Sequence, residues 1–125
     1  MRITQTNFYK KLLGRLGEKK AERFLRKKKY KIIEKNYQTK FAECDLIALY
    51  GNLLVFVEVK TRTSVAFGNP ADAVDLAKQR KYVKLAEYFL MMNKEYENYS
   101  VRFDVIEILN DEINHIENAF YVDEL

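Results

Sequence analysis

The apolar positions of the 125-residue chain recur with two spacings, one typical of helices and one of strands. From about Thr4 to Lys29 they return every three or four residues, which predicts a long helix with one buried face. The next segments are rich in β-branched and aromatic residues and predict three strands: Tyr30–Tyr37, Glu43–Tyr50 and Leu53–Lys60. Gly51 and Asn52 predict a tight turn, so the second and third strands should form a hairpin.

A second helix is predicted after the hairpin. The polar stretch from Thr61 to Asn69 predicts a loop. Pro70 suits the first position of a helix, because it lacks an amide hydrogen that this position does not need. The apolar periodicity indicates that this helix extends to about Met92 or Asn93.

The last part of the chain predicts further strands of the same sheet. Ser100–Leu109 alternates as a strand, Asn110 and Asp111 predict a turn, and Ile113–Ile116 can pair back. The predicted order is helix, three strands, helix, and one or two strands. This order favours an α/β fold with a mixed central sheet flanked by helices.

Composition limits the class of protein. Apolar residues make up 48% of the chain, and it contains only 4 Gly and 1 Pro, which predicts one globular domain over residues 1–125. There is no apolar run of about 18 residues and no apolar signal region at the start, so we expect a cytoplasmic protein without a membrane span. The single cysteine, Cys44, and the single histidine, His115, exclude an internal disulfide and a Cys/His zinc site.

The basic charge is concentrated in the first helix. The whole chain carries a net charge of +4, but the window Lys10–Lys31 holds eleven basic and two acidic residues. Such a positive surface suits a polyanion, above all a nucleic-acid backbone, although many basic helix faces are only solvated. Candidate phosphate-binding residues on this helix are Arg15, Lys19 and Arg23.

Three charged residues interrupt the apolar second and third strands. Alternation places Glu58 and Lys60 on one face of their strand, with Val57 and Val59 on the other. It also places Asp45 on the face of Glu43 and Ile47, with Cys44 and Leu46 turned away together.

The hairpin brings these charges to neighbouring strand ends. Asp45 should therefore lie close to Glu58 and Lys60, and two carboxylates beside an ammonium suit a divalent cation used in phosphodiester hydrolysis. A Glu-x-Lys pair on a strand is more often an exposed ion pair, so the interpretation needs further residues.

Polar residues on the two helices offer that support. Glu18 borders the buried stripe of the first helix, where it can reach the strand carboxylates or pair within the helix with Lys11 or Arg15. Lys78 and Gln79 interrupt the apolar face of the second helix. They either contact a phosphate or a water molecule, or they have structural roles, with Lys78 reaching solvent and Gln79 capping the sheet edge.

Other chemistries have less support. His115 has no evident catalytic partner and suggests a surface or capping role. Asp104 should pair with a neighbour in the sheet, and Cys44 should be a small buried residue. The chain has no glycine-rich phosphate loop and no Ser/His/Asp set.

The order of motifs along the chain resembles the bacterial YraN-like family. The matching motifs are Leu16-Gly17-Glu18-x-x-Ala21, Tyr30-x-Ile32-Ile33-x-x-Asn36-Tyr37, Glu43-x-Asp45-Leu46-Ile47-Ala48, Val55-Phe56-Val57-Glu58-Val59-Lys60-x-Arg62 and Lys78-Gln79. That family resembles a branch of the PD-(D/E)xK nuclease superfamily, close to archaeal Holliday-junction resolvases. The chain departs from the family pattern at Ala42 and Lys29, where glycine is usual.

The resemblance implies a restriction-endonuclease-like fold and a role for each candidate residue. Asp45, Glu58 and Lys60 would form the catalytic core, Glu18 would match the helical glutamate of the resolvase-like branch, and Gln79 would be a nearby polar residue. The implied metal ligands are Asp45, Glu58, the carbonyl of Val59 and, as an outer ligand, Glu18. Arg62 and Lys78 would join the basic helix in holding phosphates.

The leading hypothesis is an endonuclease that depends on Mg²⁺ or Mn²⁺ and acts on DNA, branched or otherwise structured. A homodimer would be the simplest way to handle a symmetric junction. Three alternatives stay open: a catalytically inert nucleic-acid-binding or adaptor protein with the same fold, a ribonuclease with the same site, and a structural protein whose basic helix is only solvated.

Overall fold

The computed structural model describes residues 2–62 and 74–120, with side chains from residue 7 onward. Its two helices are α1 (Arg2–Lys27) and α2 (Leu76–Met92), and a short 3₁₀ helix spans Lys94–Tyr96. The five strands are β1 (Lys31–Gln38), β2 (Glu43–Tyr50), β3 (Leu53–Arg62), β4 (Ser100–Leu109) and β5 (Glu112–Ile116). The predicted α/β order and the fifth strand are confirmed.

All five strands form one mixed sheet in the order β1-β2-β3-β4-β5. The β3–β4 pair is parallel and the other three pairs are antiparallel. The predicted hairpin joins β2 to β3 through Gly51, whose φ of 58° is a conformation that glycine adopts at little cost. Because α2 lies between the parallel strands in sequence, it is the crossover between them.

Each face of the sheet packs against one helix. Ala21 and Leu25 of α1 belong to a buried cluster with β-strand residues on one face, Leu46, Ala48, Val55, Val57, Ile106 and Ile108. Tyr82, Leu85 and Phe89 of α2 belong to the cluster on the other face, with Cys44, Ile47, Leu54, Phe56, Phe103 and Val105. The central strands are therefore covered on both sides, which explains why β3 is apolar along most of its length.

The alternation predicted for β2 is wrong at one point. Cys44 and Leu46 were expected on one face, but Cys44 packs in the α2-side cluster and Leu46 in the α1-side cluster. In the ladder, Asp45 lies opposite Asn36 of β1, which has a φ of 51°, and the register of the β1–β2 pair shifts between Ile32 and Glu34. Asp45 therefore lies between two residues that pack on opposite faces of the sheet.

The predicted start of the second helix is also wrong. Asp75 is the N-cap of α2, and its side chain accepts a hydrogen bond from the backbone N–H of Lys78 at 2.8 Å. A cap of this kind satisfies amide groups that a helix start leaves unpaired. Pro70 itself lies outside the described residues.

Candidate active-site cleft

A cleft of about 560 Å³ opens beside the adjoining ends of β2, β3 and α2. We call it the carboxylate cleft. It is lined by Phe41, Ala42, Glu43, Asp45, Glu58, Asp75, Ala77, Lys78 and Lys81. The structure thus brings together Asp45 and Glu58, the two strand carboxylates predicted to be neighbours.

Asp45 is held at the end of the β2–β3 ladder. The last ladder pair is Leu46 with Val57, and beyond it the Asp45 Oδ2 atom accepts a hydrogen bond from the Val59 N–H at 2.8 Å. Burial raises the pKa of Asp45 to about 6, and the nearby carboxylates of Glu18 and Glu43 also raise it, while the Val59 N–H lowers it. The folded protein therefore disfavours the ionised form of Asp45.

Glu18 is the helical residue that reaches Asp45. Its carboxylate lies close enough to the Asp45 carboxylate to raise the pKa of Asp45. The close approach depends on Gly17, because a Cβ atom at that position would overlap the Thr61 Oγ1 atom of β3. Glu18 also lines a second cavity of about 350 Å³ together with Val59. Of the two roles considered for Glu18, the structure favours contact with the strand carboxylate.

Glu58 has positively charged and hydroxyl partners. Its Oε1 atom accepts a hydrogen bond from Lys78 Nζ at 2.6 Å, and its Oε2 atom accepts one from the Tyr82 hydroxyl. Burial and the charge of Asp45 raise the pKa of Glu58, whereas Lys78 and Lys60 lower it. Glu58 is thus compensated by a cation in a way that Asp45 is not.

Lys60 lies on the same strand as Glu58 and close enough for its charge to act on that carboxylate. In the part of the chain that the structure describes, the Lys60 ammonium makes no hydrogen bond or ion pair. Lys60 does not line the carboxylate cleft, but a half-buried ammonium beside Glu58 can orient a water molecule or stabilise developing negative charge.

The other predicted site residues take different positions. The Gln79 Nε2 atom donates to the Val74 carbonyl at 3.0 Å, and Gln79 does not line the carboxylate cleft. Arg62 pairs at 2.6 Å with Glu107, a carboxylate that is fully buried. On α1 the side chains of Arg15, Lys19 and Arg23 are exposed. Their contact with phosphate stays a prediction.

The donor set fits a hard divalent cation only in part. Glu18 and Asp45 place carboxylates near each other, and carboxylate oxygens are the ligands that Mg²⁺ and Mn²⁺ prefer. Over residues 2–62 and 74–120, however, no three His, Cys, Asp or Glu side chains are grouped so that they could hold a metal ion. The reason is local, because Glu58 is turned toward Lys78 and Tyr82.

Sequence reasoning missed several residues that line the carboxylate cleft or contact its carboxylates. Tyr82 was assigned to the apolar stripe of its helix, yet its hydroxyl binds Glu58. The spacing of Lys78 and Tyr82, one helical turn apart, was the available signal. Phe41, Asp75 and Lys81 also line the cleft, and Glu43, whose role was open, lines it as well.

The comparisons with known proteins agree on one family. A model described as "Uncharacterised protein family UPF0102" matches residues 17–108. A UPF0102 protein of Caldanaerobacter subterraneus subsp. tengcongensis is 53% identical over 118 residues, which cover 89% of this chain and 96% of that protein. One from Thermodesulfovibrio yellowstonii is 51% identical over 109 residues, 87% of this chain and 96% of that protein. The YraN-like resemblance is thereby confirmed at the level of the family. Among the described helices, none is long and apolar enough to cross a membrane.

Proposed function

Since the chain belongs to the UPF0102 family, whose name states no activity, we propose from the carboxylate cleft that it hydrolyses phosphodiester bonds of DNA with a divalent metal ion. Branched or otherwise structured DNA is the proposed substrate. The observation that carries the proposal is the presence of Asp45 and Glu58 in one cleft, with Glu18 near Asp45 and Lys60 near Glu58. Two carboxylates forced together in a partly buried cleft are costly unless a cation joins them.

Residues in and next to the carboxylate cleft have the following proposed tasks. Asp45, Glu18, Glu58 and the Val59 carbonyl would hold Mg²⁺ or Mn²⁺, which when bound polarises a phosphate and lowers the pKa of bound water. Lys60 would orient the attacking water and stabilise negative charge on the phosphate. Lys78 lies in the first turn of α2, lines the cleft and donates to Glu58. It is therefore the ammonium best placed to hold a phosphate oxygen.

The order of these residues supports a place in a known superfamily. Asp45 on one strand, followed by Glu58-x-Lys60 on its hairpin partner, resembles the PD-(D/E)xK pattern. Glu18 on the preceding helix resembles the resolvase-like branch. The exposed basic residues of α1, among them Arg15, Lys19 and Arg23, would bind the backbone of a long substrate. A homodimer would suit a symmetric junction.

The test is cleavage of a labelled panel of nucleic acids in Mg²⁺ or Mn²⁺, and again with a chelator. The panel contains duplex, single strand, flap, fork, four-way junction and RNA. We expect metal-dependent cutting of a branched DNA, and a loss of at least about 100-fold in Glu58→Ala and Lys60→Ala proteins. Matched controls are Glu97→Ala and Lys94→Ala, which remove exposed residues outside the cleft and should cut normally.

Three results would contradict the proposal. Cutting that survives Glu58→Ala and Lys60→Ala would indicate a contaminating nuclease. Preference for RNA would show a ribonuclease with the same site. Tight, salt-sensitive binding without any cutting, unchanged in both variants, would indicate an inert nucleic-acid-binding protein.

A further inference from the structure

A second groove adjoins the carboxylate cleft and shares one wall with it. This groove has a volume of about 470 Å³ and is lined by Lys40, Phe41, Lys84, Glu87, Tyr88 and Met91. Phe41 lines both cavities. We call the second cavity the Phe41 groove.

Phe41 is presented by a turn that fixes its backbone. The Thr39 hydroxyl accepts the N–H groups of Phe41 and Ala42 at 3.1 and 3.2 Å, and the Thr39 N–H donates to the Ala42 carbonyl at 2.9 Å. These bonds close the connection between β1 and β2. An aromatic ring on a turn held in this way loses little further freedom when a flat ligand stacks on it.

The chemistry of the Phe41 groove combines aromatic rings with ammonium groups. Lys40 and Lys84 place their Nζ atoms 5.3 and 5.8 Å from the centre of the Phe41 ring. Tyr88 and Met91 keep 37% and 58% of their surface exposed, so the groove has an open apolar floor. Glu87 is the one acidic residue in the described lining, opposed by the two lysines.

Rings flanked by cations are the combination that binds unpaired nucleotides. A base stacks on the ring, and the ammonium groups meet the phosphates on either side. A fully paired duplex cannot use such a floor, because its bases are stacked on one another. An acidic peptide could pair with the two lysines, but its carboxylates would not stack on the aromatic ring of Phe41.

We propose that the Phe41 groove binds unpaired nucleotides next to the scissile phosphate by stacking a base on Phe41, with Tyr88 beside it. The proposal rests on the proposed function, because the strand enters from the carboxylate cleft. It makes Phe41 a residue that selects substrates with a single-stranded arm, such as a fork or a flap, over plain duplex.

The test is binding in the presence of a chelator, so that it does not depend on cleavage. A fork carries the fluorescent base 2-aminopurine at successive unpaired positions, and a duplex of the same length is the reference. Stacking should quench the probe at one or two positions next to the branch. Phe41→Ala should weaken fork binding about tenfold and abolish the quenching, while duplex binding changes less than twofold.

Matched variants separate stacking from folding. Phe41→Tyr keeps an aromatic face and should restore both affinity and quenching, whereas Phe41→Leu keeps an apolar side chain and should not. Tyr50→Ala removes an exposed aromatic ring at the opposite end of β2 and should bind the fork like the unmodified protein.

The outcomes distinguish this proposal from the one on which it rests. If Phe41→Ala and the unmodified protein bind the fork with equal affinity, the proposal that the Phe41 groove binds unpaired nucleotides is wrong, whatever the protein cuts. Equal loss on fork and duplex, or tighter binding of a poly-glutamate peptide than of the fork, overturns it too. Position-specific quenching lost in Phe41→Ala supports it, even if the cleavage panel shows no hydrolysis.

Discussion

At the scale of single residues, the environment of Asp45 in the carboxylate cleft disfavours the ionised form of its carboxyl group. Its pKa is raised to about 6 mainly by burial and further by Glu18 and Glu43. A carboxyl whose pKa is higher in the folded protein than in the unfolded chain stabilises the fold at low pH. That stability is fully present below about pH 4 and is lost as the pH rises through about 6.

Replacing Asp45 by asparagine should therefore stabilise the metal-free protein at neutral pH. We expect Asp45→Asn to raise the free energy of unfolding at pH 7.5 by on the order of 2 kcal/mol, and to change it little at pH 4. Urea unfolding in the presence of a chelator measures both values. Asp111→Asn, which changes an exposed carboxylate, should have no effect at either pH. Equal stability of Asp45→Asn and the unmodified protein at pH 7.5 would contradict the electrostatic account.

Single residues of the site were predictable where charge conflicted with an apolar pattern. Asp45 and Glu58 stand out in apolar strands, and Glu18 stands out beside a buried helical stripe. The partners of Glu58 were not predictable in the same way. Whether Lys78 reaches solvent or a carboxylate depends on the distance between a helix and a sheet, which the sequence pattern does not contain.

At the scale of elements, α1 approaches the sheet through Gly17. Its neighbour Glu18 reaches Asp45 only because no side chain separates the helix from Thr61 and Ile108 at this point. The glycine thus sets the distance between the helix and β3. Helical propensity alone would make Gly17 a weak point of the helix, since it does not reveal the opposing strand.

Two glycines of the same helix should respond to substitution in opposite ways. Gly17→Ala should destabilise the protein by about 1–3 kcal/mol, because a methyl group there overlaps Thr61. Gly14→Ala should stabilise it by up to about 1 kcal/mol, since nothing lies within 4 Å of the added Cβ atom and alanine favours helix. Denaturant unfolding of the two variants compares them. The added Thr61→Ala change should rescue Gly17→Ala, and equal gains from both glycine variants would disprove the close contact.

Element boundaries were predictable where turn chemistry was strong. The hairpin at Gly51 and the end of α2 at Met92 agree with the sequence prediction. The start of α2 does not, because the N-cap that precedes Leu76 is Asp75, whose side chain accepts the Lys78 N–H. The change of face between Cys44 and Leu46 was not predictable either, because the sequence pattern supplies only strict alternation along a strand.

At the scale of the whole molecule, the structure contains a second polar cluster besides the carboxylate cleft, centred on Asp104. Asp104 accepts hydrogen bonds from Arg102 at 2.7 and 2.8 Å and from the N–H of Asn118, and its Oδ2 atom lies 2.7 Å from His115 Nε2. Arg102 also donates to the Tyr30 hydroxyl. The cluster joins β4 and β5 to Tyr30, which lies between α1 and β1. His115 is buried there, with 4% of its side chain exposed, so the first of the two roles predicted for it, a surface or a capping role, is wrong.

The Asp104 cluster should determine how the whole protein responds to acid. Burial alone would raise the pKa of Asp104, but the hydrogen bonds from His115, Arg102 and Asn118 lower it below its ordinary value. Such a group stabilises the fold above about pH 4, and that stability is lost as the pH falls through its lowered pKa.

Asp104→Asn should therefore cost on the order of 3 kcal/mol at pH 7, because it leaves the half-buried Arg102 with only the exposed Glu117 carboxylate, 3.8 Å away, as its countercharge. The cost should shrink as the pH falls below about 4, where the native carboxyl also loses its charge. Thermal unfolding followed by circular dichroism from pH 3 to pH 8 measures this dependence. A cost that is the same at every pH would contradict the ion-pair explanation, and Asp111→Asn again serves as the exposed control.

The burial of Cys44 has a practical consequence for the kinetics of the cleft. Its thiol is fully buried and its pKa is raised, mainly by that burial, so a thiol reagent can modify it only when β2 separates from its neighbours. Because Cys44 directly precedes Asp45, its labelling rate reports how often the strand that carries this carboxylate opens. The chain thus contains its own reporter of breathing at the site, and a ligand that closes the cleft would slow the reaction without touching the cysteine.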